Sequence, residues 1–160
     1  MSELTVADLS PAQQDYLEEI LQQVESSRVA RVSAIAKSLA VGKPAVTSAL
    51  KTLAAKDLVH YEAYQFITLT DAGRRIAREI TRRHEVLARF FQEVLGVDAE
   101  SAEANACRIE HQVDRWVLDR IAHLTRFVAG QDAAGADWPG RLIDSYSPAP
   151  ATKEPAHGAD

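Results

Sequence analysis

The sequence contains very little cysteine and no long apolar run. Cys107 is the single cysteine among 160 residues, so no internal disulfide can form, and we expect a reduced thiol that can bind a metal once it loses its proton. No stretch approaches the roughly 18 apolar residues of a membrane span. Residues 1–10 lack the basic start and apolar core of a secretory signal. We therefore expect a cytoplasmic protein with no membrane partner.

Basic residues are scarce outside the middle of the chain, whose overall net charge is -5. Residues 28–89 contain 12 Lys and Arg against 5 Asp and Glu, whereas residues 1–27 contain 6 acidic side chains and no basic one. Residues 90–160 contain 6 basic and 12 acidic side chains. This distribution suggests an anion-binding module joined to segments that use carboxylates for another purpose.

Residues 31–59 carry the spacing of a helix-turn-helix. Ser33 is expected to cap a short first helix, a turn covers residues 40–43, and a second helix starts at Pro44. Apolar residues at 35, 39, 41, 46 and 49 fit the packing of this motif. Its second helix then presents cations and short hydroxyls that suit phosphates and base edges, and the predicted DNA-binding residues are Lys43, Pro44, Thr47, Ser48 and Lys51. The alternative is a polar exposed face on an ordinary helical hairpin.

Two short strands around a turn near residues 62–65 are predicted directly after this motif, and such a hairpin makes a wing. Ser10 caps a first helix that starts at Pro11. Thr70 and Asp71 cap a long helix, Asp98 caps a second helix after Gly96, and a last helix starts near Asp114. The outer side of the long helix is predicted to hold the arginines at 74, 75, 78, 82 and 83. Because the last two helices have broad apolar faces, we expect a homodimer.

Three potential metal ligands share one helix face in the second half of the chain. Cys107, Glu110 and His111 stand at i, i+3 and i+4. A thiolate, a carboxylate and an imidazole within one turn supply most of the ligands of a divalent transition metal. The alternative is that Cys107 fills the core and that the other two side chains are solvated.

Three further candidates are distant in the sequence. Asp15 and Glu18 lie at i and i+3 near the apolar stripe of the first helix, where solvated acids at a helix start are the simpler interpretation. His84 follows Ile80 by four residues, near the buried stripe of the long helix. A hydrogen-bonded structural histidine is the simpler interpretation there.

The order of these segments resembles the diphtheria-toxin-repressor family, and specifically its short branch, the manganese transport regulators. The resemblance covers about residues 15–127 and rests on DYLEEI, ARVSAIAKSLAV, LTDAGRR, RRHEVLARFF, LGVD and CRIEHQV. It implies a dimeric winged-helix repressor that binds operator DNA when Mn(II) or Fe(II) is bound, and that controls metal-homeostasis genes. The metal ligands that it implies are Asp15, Glu18, His84, Cys107, Glu110 and His111.

Cys107 departs from the pattern of the manganese branch, which has a glutamate there. The iron-responsive branch has a cysteine at this position, but it has a methionine where Asp15 stands. The resemblance therefore implies a hybrid site, because oxygen ligands suit Mn(II) while a thiolate shifts the preference toward Fe(II), Co(II) or Zn(II). Glu103 and Arg108 lie near these ligands and are candidates for groups that support them, although a solvated helix face is the simpler interpretation for both.

The predicted fold class is mainly α, with a winged helix-turn-helix domain over residues 1–73 and an all-helical metal-binding and dimerisation domain over residues 74–144. Trp138, Leu142 and Ile143 are expected to form a last docked turn, and residues 145–160 a disordered tail. Two other functions are alternatives. A winged-helix regulator that answers to a small organic ligand would bind DNA without metal. A metal hydrolase would need a further acid/base cluster, which the sequence lacks, so we expect no enzyme.

Overall fold

The computed structural model of the chain describes residues 4–62, 66–133 and 140. This part of the chain is mostly helical, which confirms the predicted fold class. A short 3-10 helix, Val6–Asp8, precedes the first α-helix. The other elements are α1 (Pro11–Ser27), α2 (Val32–Ser38), α3 (Lys43–Ala55), β1 (Val59–His60), β2 (Thr68–Leu69), α4 (Asp71–Glu93), α5 (Ala99–Ile109) and α6 (Arg115–Ala133).

The predicted helix caps are correct at three positions and wrong at one. Ser10, Thr70 and Asp98 each accept a hydrogen bond from a backbone N–H in the first turn of their helix. Ser33 was predicted to cap the first helix of the helix-turn-helix, but it lies inside α2, whose N-cap is Arg31. The chain enters α2 earlier because the Arg31 N–H donates to the Gln23 side chain of α1 at 3.2 Å.

The first three helices and the wing enclose one apolar core. Its fully buried members include Leu17, Ile20, Ile35, Leu50, Leu53, Leu58 and Ile67. Between α2 and α3, Ala40 adopts a left-handed φ of 53° where this motif often has a glycine. The Val41 N–H donates to the Ala36 carbonyl at 3.0 Å. The left-handed position of the turn is therefore filled by alanine, and α3 lies where the second helix of a helix-turn-helix is expected.

The wing is a short antiparallel pair in which Val59 faces Leu69. A single bridge between Ala30 and Ile67 joins it to the chain before α2. Phe66 is exposed, and the Arg31 guanidinium lies over its ring at 5.2 Å from the centroid. Residues 63–65 of the predicted turn, the predicted turn at Trp138, Leu142 and Ile143, and the predicted tail lie outside the described residues.

Helix α4 connects the winged core to a second, smaller core. A Cβ atom at Gly73 would lie 1.9 Å from the carbonyl oxygen of Leu58, so only glycine permits the close approach of α4 to the wing. Ile80 of α4 belongs to the first core, whereas Leu87 packs with α5 and α6 in the second. None of the described helices combines the length and the apolar character that crossing a bilayer requires.

Candidate metal centre

Donor atoms from two distant segments meet beside the first helix. Asp15 belongs to α1, whereas Glu110 and His111 form the turn that follows α5. One ligand atom from each lies within 4.8 Å of the other two. His111 Nε2 lies 3.0 Å from Asp15 Oδ1 and 3.5 Å from Glu110 Oε1. The centre therefore joins the winged domain to the helices that follow it.

His84 enters the same centre from α4. Its Nδ1 lies 2.7 Å from Glu110 Oε2, and its Nε2 lies 2.5 Å from Glu103 Oε2. The hydrogen bond to Glu110 and the one to Glu103 raise the pKa of His84 to about 9, against the opposing effect of burial. At neutral pH the ring is thus a cation that donates from both nitrogens, and a metal that binds there must displace a proton.

Glu18 and Cys107 lie on the walls of the adjoining cleft, which has a volume of about 600 Å³. Burial raises the pKa of Glu18, and the nearby Glu110 raises it further. Burial also raises the pKa of the Cys107 thiol, to which the charges of Glu110, Asp15 and Glu18 add. Mutual repulsion among these groups therefore opposes full ionisation of the cleft in the metal-free chain.

The structure brings together four of the six predicted ligands by direct contact: Asp15, His84, Glu110 and His111. The other two, Glu18 and Cys107, line the same cleft, and Cys107 is exposed and does not fill the core. Glu103 is exposed, as the sequence suggested, but its carboxylate also contacts His84. Only the tertiary approach of α5 to α4 reveals that contact.

Arg83 corrects the prediction that all five arginines lie on the outer side of α4. Its side chain is 12% exposed. Its guanidinium donates to the carbonyl oxygens of Glu110 and Val113, at 3.4 and 3.3 Å. Arg83 points inward because the turn after α5 leaves carbonyl groups without helical partners. It therefore supports the turn that carries Glu110 and His111.

One buried atom indicates that a cation fits this centre. Glu110 is only 1% exposed, and its Oε1 accepts no hydrogen bond from the described residues. A buried carboxylate oxygen without a partner is unfavourable. Carboxylate oxygens together with imidazole nitrogens form a donor set that suits divalent transition metals. The residues present thus fit a metal ion beside Oε1.

Two family descriptions match the two halves of the chain. Residues 8–66 match the N-terminal DNA-binding domain of iron-dependent repressors. Residues 70–138 match the metal-binding and dimerisation domain of the same repressors. Together they cover most of the chain, in the order that the resemblance predicted.

Curated relatives and solved structures agree with these matches. The chain is 34% identical over 128 residues to the HTH-type transcriptional regulator MntR of Bacillus subtilis. This match covers 80% of this chain and 89% of the relative. It is 35% identical over 123 residues to MntR of Bacillus pumilus, and this match covers 77% of this chain and 85% of the relative. A solved manganese-dependent transcriptional repressor in complex with manganese superposes with a TM-score of 0.67 at 30% identity, over 72% of this chain and 53% of that one. The chain spans about half the length of such solved structures.

Since both family descriptions and the relatives agree, this chain belongs to the iron-dependent repressor family, as a metal-dependent transcriptional regulator of its MntR branch and not an enzyme.

Proposed function

We propose that the chain binds operator DNA as a homodimer when Mn(II) or Fe(II) is bound, and so controls genes of metal-ion uptake in the cytoplasm. The observation that carries this proposal is the meeting of Asp15 with Glu110 and His111, because a metal held by these three side chains would connect two parts of the fold. The proposed ligands are the four residues in contact, Asp15, His84, Glu110 and His111, together with Glu18 and Cys107. The domain limits proposed with this function remain residues 1–73 and 74–144.

The charges of the centre supply the physical basis for metal control. Asp15 and Glu18 on α1 lie close to Glu110, and the repulsion among the three carboxylates favours a metal-free chain in which α1 can move away. A bound divalent cation would supply the positive charge that neutralises these carboxylates. The same carboxylates would then hold α1 against the turn after α5. Metal affinity and the position of α1 are thereby linked.

The face of α1 that carries Asp15 and Glu18 is also hydrogen-bonded to the helix-turn-helix, through Glu19. Glu19 is buried, accepts a hydrogen bond from the Ser38 hydroxyl at 2.7 Å, and accepts another from the Gln23 side chain at 2.6 Å. Gln23 in turn accepts from the backbone N–H of Arg31 at 3.2 Å. Both ends of α2 are therefore attached to α1, so α2 and α3 follow α1 when the metal centre fixes it.

The surface of α3 suits a DNA groove. Val46, Leu50 and Leu53 are fully buried, which turns the opposite face of the helix outward. Of the residues predicted to bind DNA, Thr47 is half-buried, while the exposed ones are Lys43, Pro44, Ser48 and Lys51. This arrangement supports the proposal that these five residues contact phosphates and base edges.

Replacing Lys51 by alanine is expected to weaken DNA binding and to reduce the salt dependence by about one unit of log–log slope, because one phosphate contact disappears. The free energy of unfolding should change by less than about 0.5 kcal/mol, since Lys51 is exposed. Fluorescence anisotropy at several salt concentrations, with thermal melting, measures both quantities. Arg115→Ala removes an exposed charge from α6 and serves as the control. An unchanged salt slope for Lys51→Ala would remove α3 from the DNA interface.

Cys107 decides which metal the centre prefers. A thiolate gains more from Fe(II), Co(II) or Zn(II) than from Mn(II), so we expect Cys107→Glu to shift relative activation toward Mn(II). The wild-type protein loaded with Co(II) should show a thiolate-to-metal charge-transfer band in the near ultraviolet, and Cys107→Ser should lose it. If the band is absent and Cys107→Ser responds to every metal as the wild type does, the proposed ligands reduce to the other five.

A regulator that responds to a small organic ligand is the alternative, and metal dependence separates it from our proposal. DNA affinity is to be measured with and without metal, on a duplex recovered from a random-sequence pool by the Mn(II)-loaded protein. We expect metal to raise the affinity and a chelator to reverse the rise. A duplex bound equally well in chelator would favour the alternative.

A further inference from the structure

We propose that Gln14 is a positioning residue of the metal centre, which orients the His111 ring and connects it to the segment before α1. This inference rests on the proposed function, because it concerns how His111 presents a nitrogen to a metal. Gln14 is next to Asp15 in the sequence and is only 3% exposed. Neither its spacing nor its residue type distinguishes it in the sequence.

The orientation of the Gln14 amide follows from its partners. Its Nε2 lies 3.2 Å from the carbonyl oxygen of Val6 and 3.0 Å from that of Leu9. Carbonyl oxygens only accept hydrogen bonds, so the group that faces them must be the amino group. The amide oxygen then faces His111, where Oε1 lies 2.8 Å from Nδ1.

The orientation of the amide determines the role of Nδ1 in the His111 ring. An amide oxygen can only accept, so Nδ1 of His111 must be the donor. The other nitrogen, Nε2, is the one that lies 3.0 Å from Asp15 Oδ1 and 3.5 Å from Glu110 Oε1. Gln14 thus reserves for the carboxylate side the nitrogen that a metal would use, which is how partners of ligand histidines usually act.

The same amide extends the metal centre to the segment Thr5–Leu9. Val6 and Leu9 are buried in the winged core, and the turn between them is closed by hydrogen bonds from the Thr5 N–H and hydroxyl to Asp8. The two carbonyl groups that hold Gln14 belong to this turn. If the segment detaches, Gln14 loses both fixed partners and His111 loses its orientation.

Gln14→Met keeps the length of the side chain but removes both the donor and the acceptor. Spectra of the metal-free protein labelled with ¹⁵N-histidine should show a protected Nδ1–H signal for His111 in the wild type, assigned through its loss in His111→Gln. We expect Gln14→Met to lose that signal and to bind Mn(II) about 10- to 100-fold more weakly by calorimetry. Gln22→Met changes an exposed glutamine of the same helix and should alter neither result.

An unchanged ring signal or an unchanged Mn(II) affinity in folded Gln14→Met protein overturns the proposal. If that variant does not fold, Gln14→Asn is used, because it keeps the amide but is one methylene too short to reach both partners, and the same results are expected. The ring signal needs no metal. A wild-type protein that fails to bind Mn(II) would therefore contradict the proposed function, while the signal would still decide whether Gln14 orients His111.

Discussion

Replacing Glu110 by glutamine is expected to abolish metal-dependent DNA binding while the metal-free protein stays folded. Glu110 contributes the buried Oε1 that has no hydrogen-bond partner among the described residues, and its Oε2 contacts His84. Glutamine keeps the shape but loses the charge that would bind a cation. Residues that only support metal ligands change affinity by about 10- to 100-fold, so we expect at least about 100-fold for a ligand.

Calorimetry with Mn(II) and anisotropy on the selected duplex measure this effect, and circular dichroism of the metal-free protein confirms the fold. Glu100→Gln is the matched control, because Glu100 is an exposed acid in the first turn of α5. If Glu110→Gln responds to Mn(II) at the same concentration as the wild type, Glu110 is not a ligand and the proposed centre is wrong.

Introducing charge into the apolar surface of α6 is expected to separate the dimer. Trp116, Leu124 and Phe127 are 67%, 42% and 53% exposed, which is unusual for large apolar side chains. We propose that a second copy of the chain covers them. The double variant Leu124→Glu and Phe127→Glu should scatter light as a particle of 17.5 kDa, whereas the wild type should have twice that mass.

The loss of the dimer should also weaken DNA binding by at least about 100-fold. In the dimer, the second copy binds its half-site while it is tethered to the first copy, and the monomer loses this advantage. Val41→Glu introduces one glutamate at an exposed apolar residue of the winged domain and should leave the mass at the dimer value. A double variant that retains the dimer mass would show that another surface joins the two copies.

Local signals in the sequence predicted the elements well, and tertiary contacts explain what they missed. Pro11, Thr70 and Asp98 identify helix starts because capping depends on a few neighbouring residues. Ser33 failed as a cap because a side chain of α1 draws the chain into α2 earlier.

The residues of the metal centre also divide into those that the sequence predicted and those that only tertiary contacts reveal. Cys107, Glu110 and His111 could be found from their helical spacing, and Asp15, Glu18 and His84 were joined to them through the family resemblance. The shared helix face was wrong, because α5 ends at Ile109 and leaves Glu110 and His111 in the turn that follows it. Glu103 was identified only as a neighbour of these ligands, and the supporting residues Gln14 and Arg83 could not be found, because each of the three acts on a residue at least 19 positions away in the sequence. Their partners become visible only when α1, α4 and α5 are packed together.

The most direct test of metal control is the affinity of the wild-type protein for the selected duplex, measured by anisotropy at one fixed salt concentration. The titration is done with Mn(II), with Fe(II) under anaerobic conditions, and with a chelator. Coupling between two sites of one protein is commonly 5- to 150-fold, and we expect a rise of at least about 10-fold with one of the two metals, reversed by the chelator. Equal affinity in metal and in chelator would contradict the account.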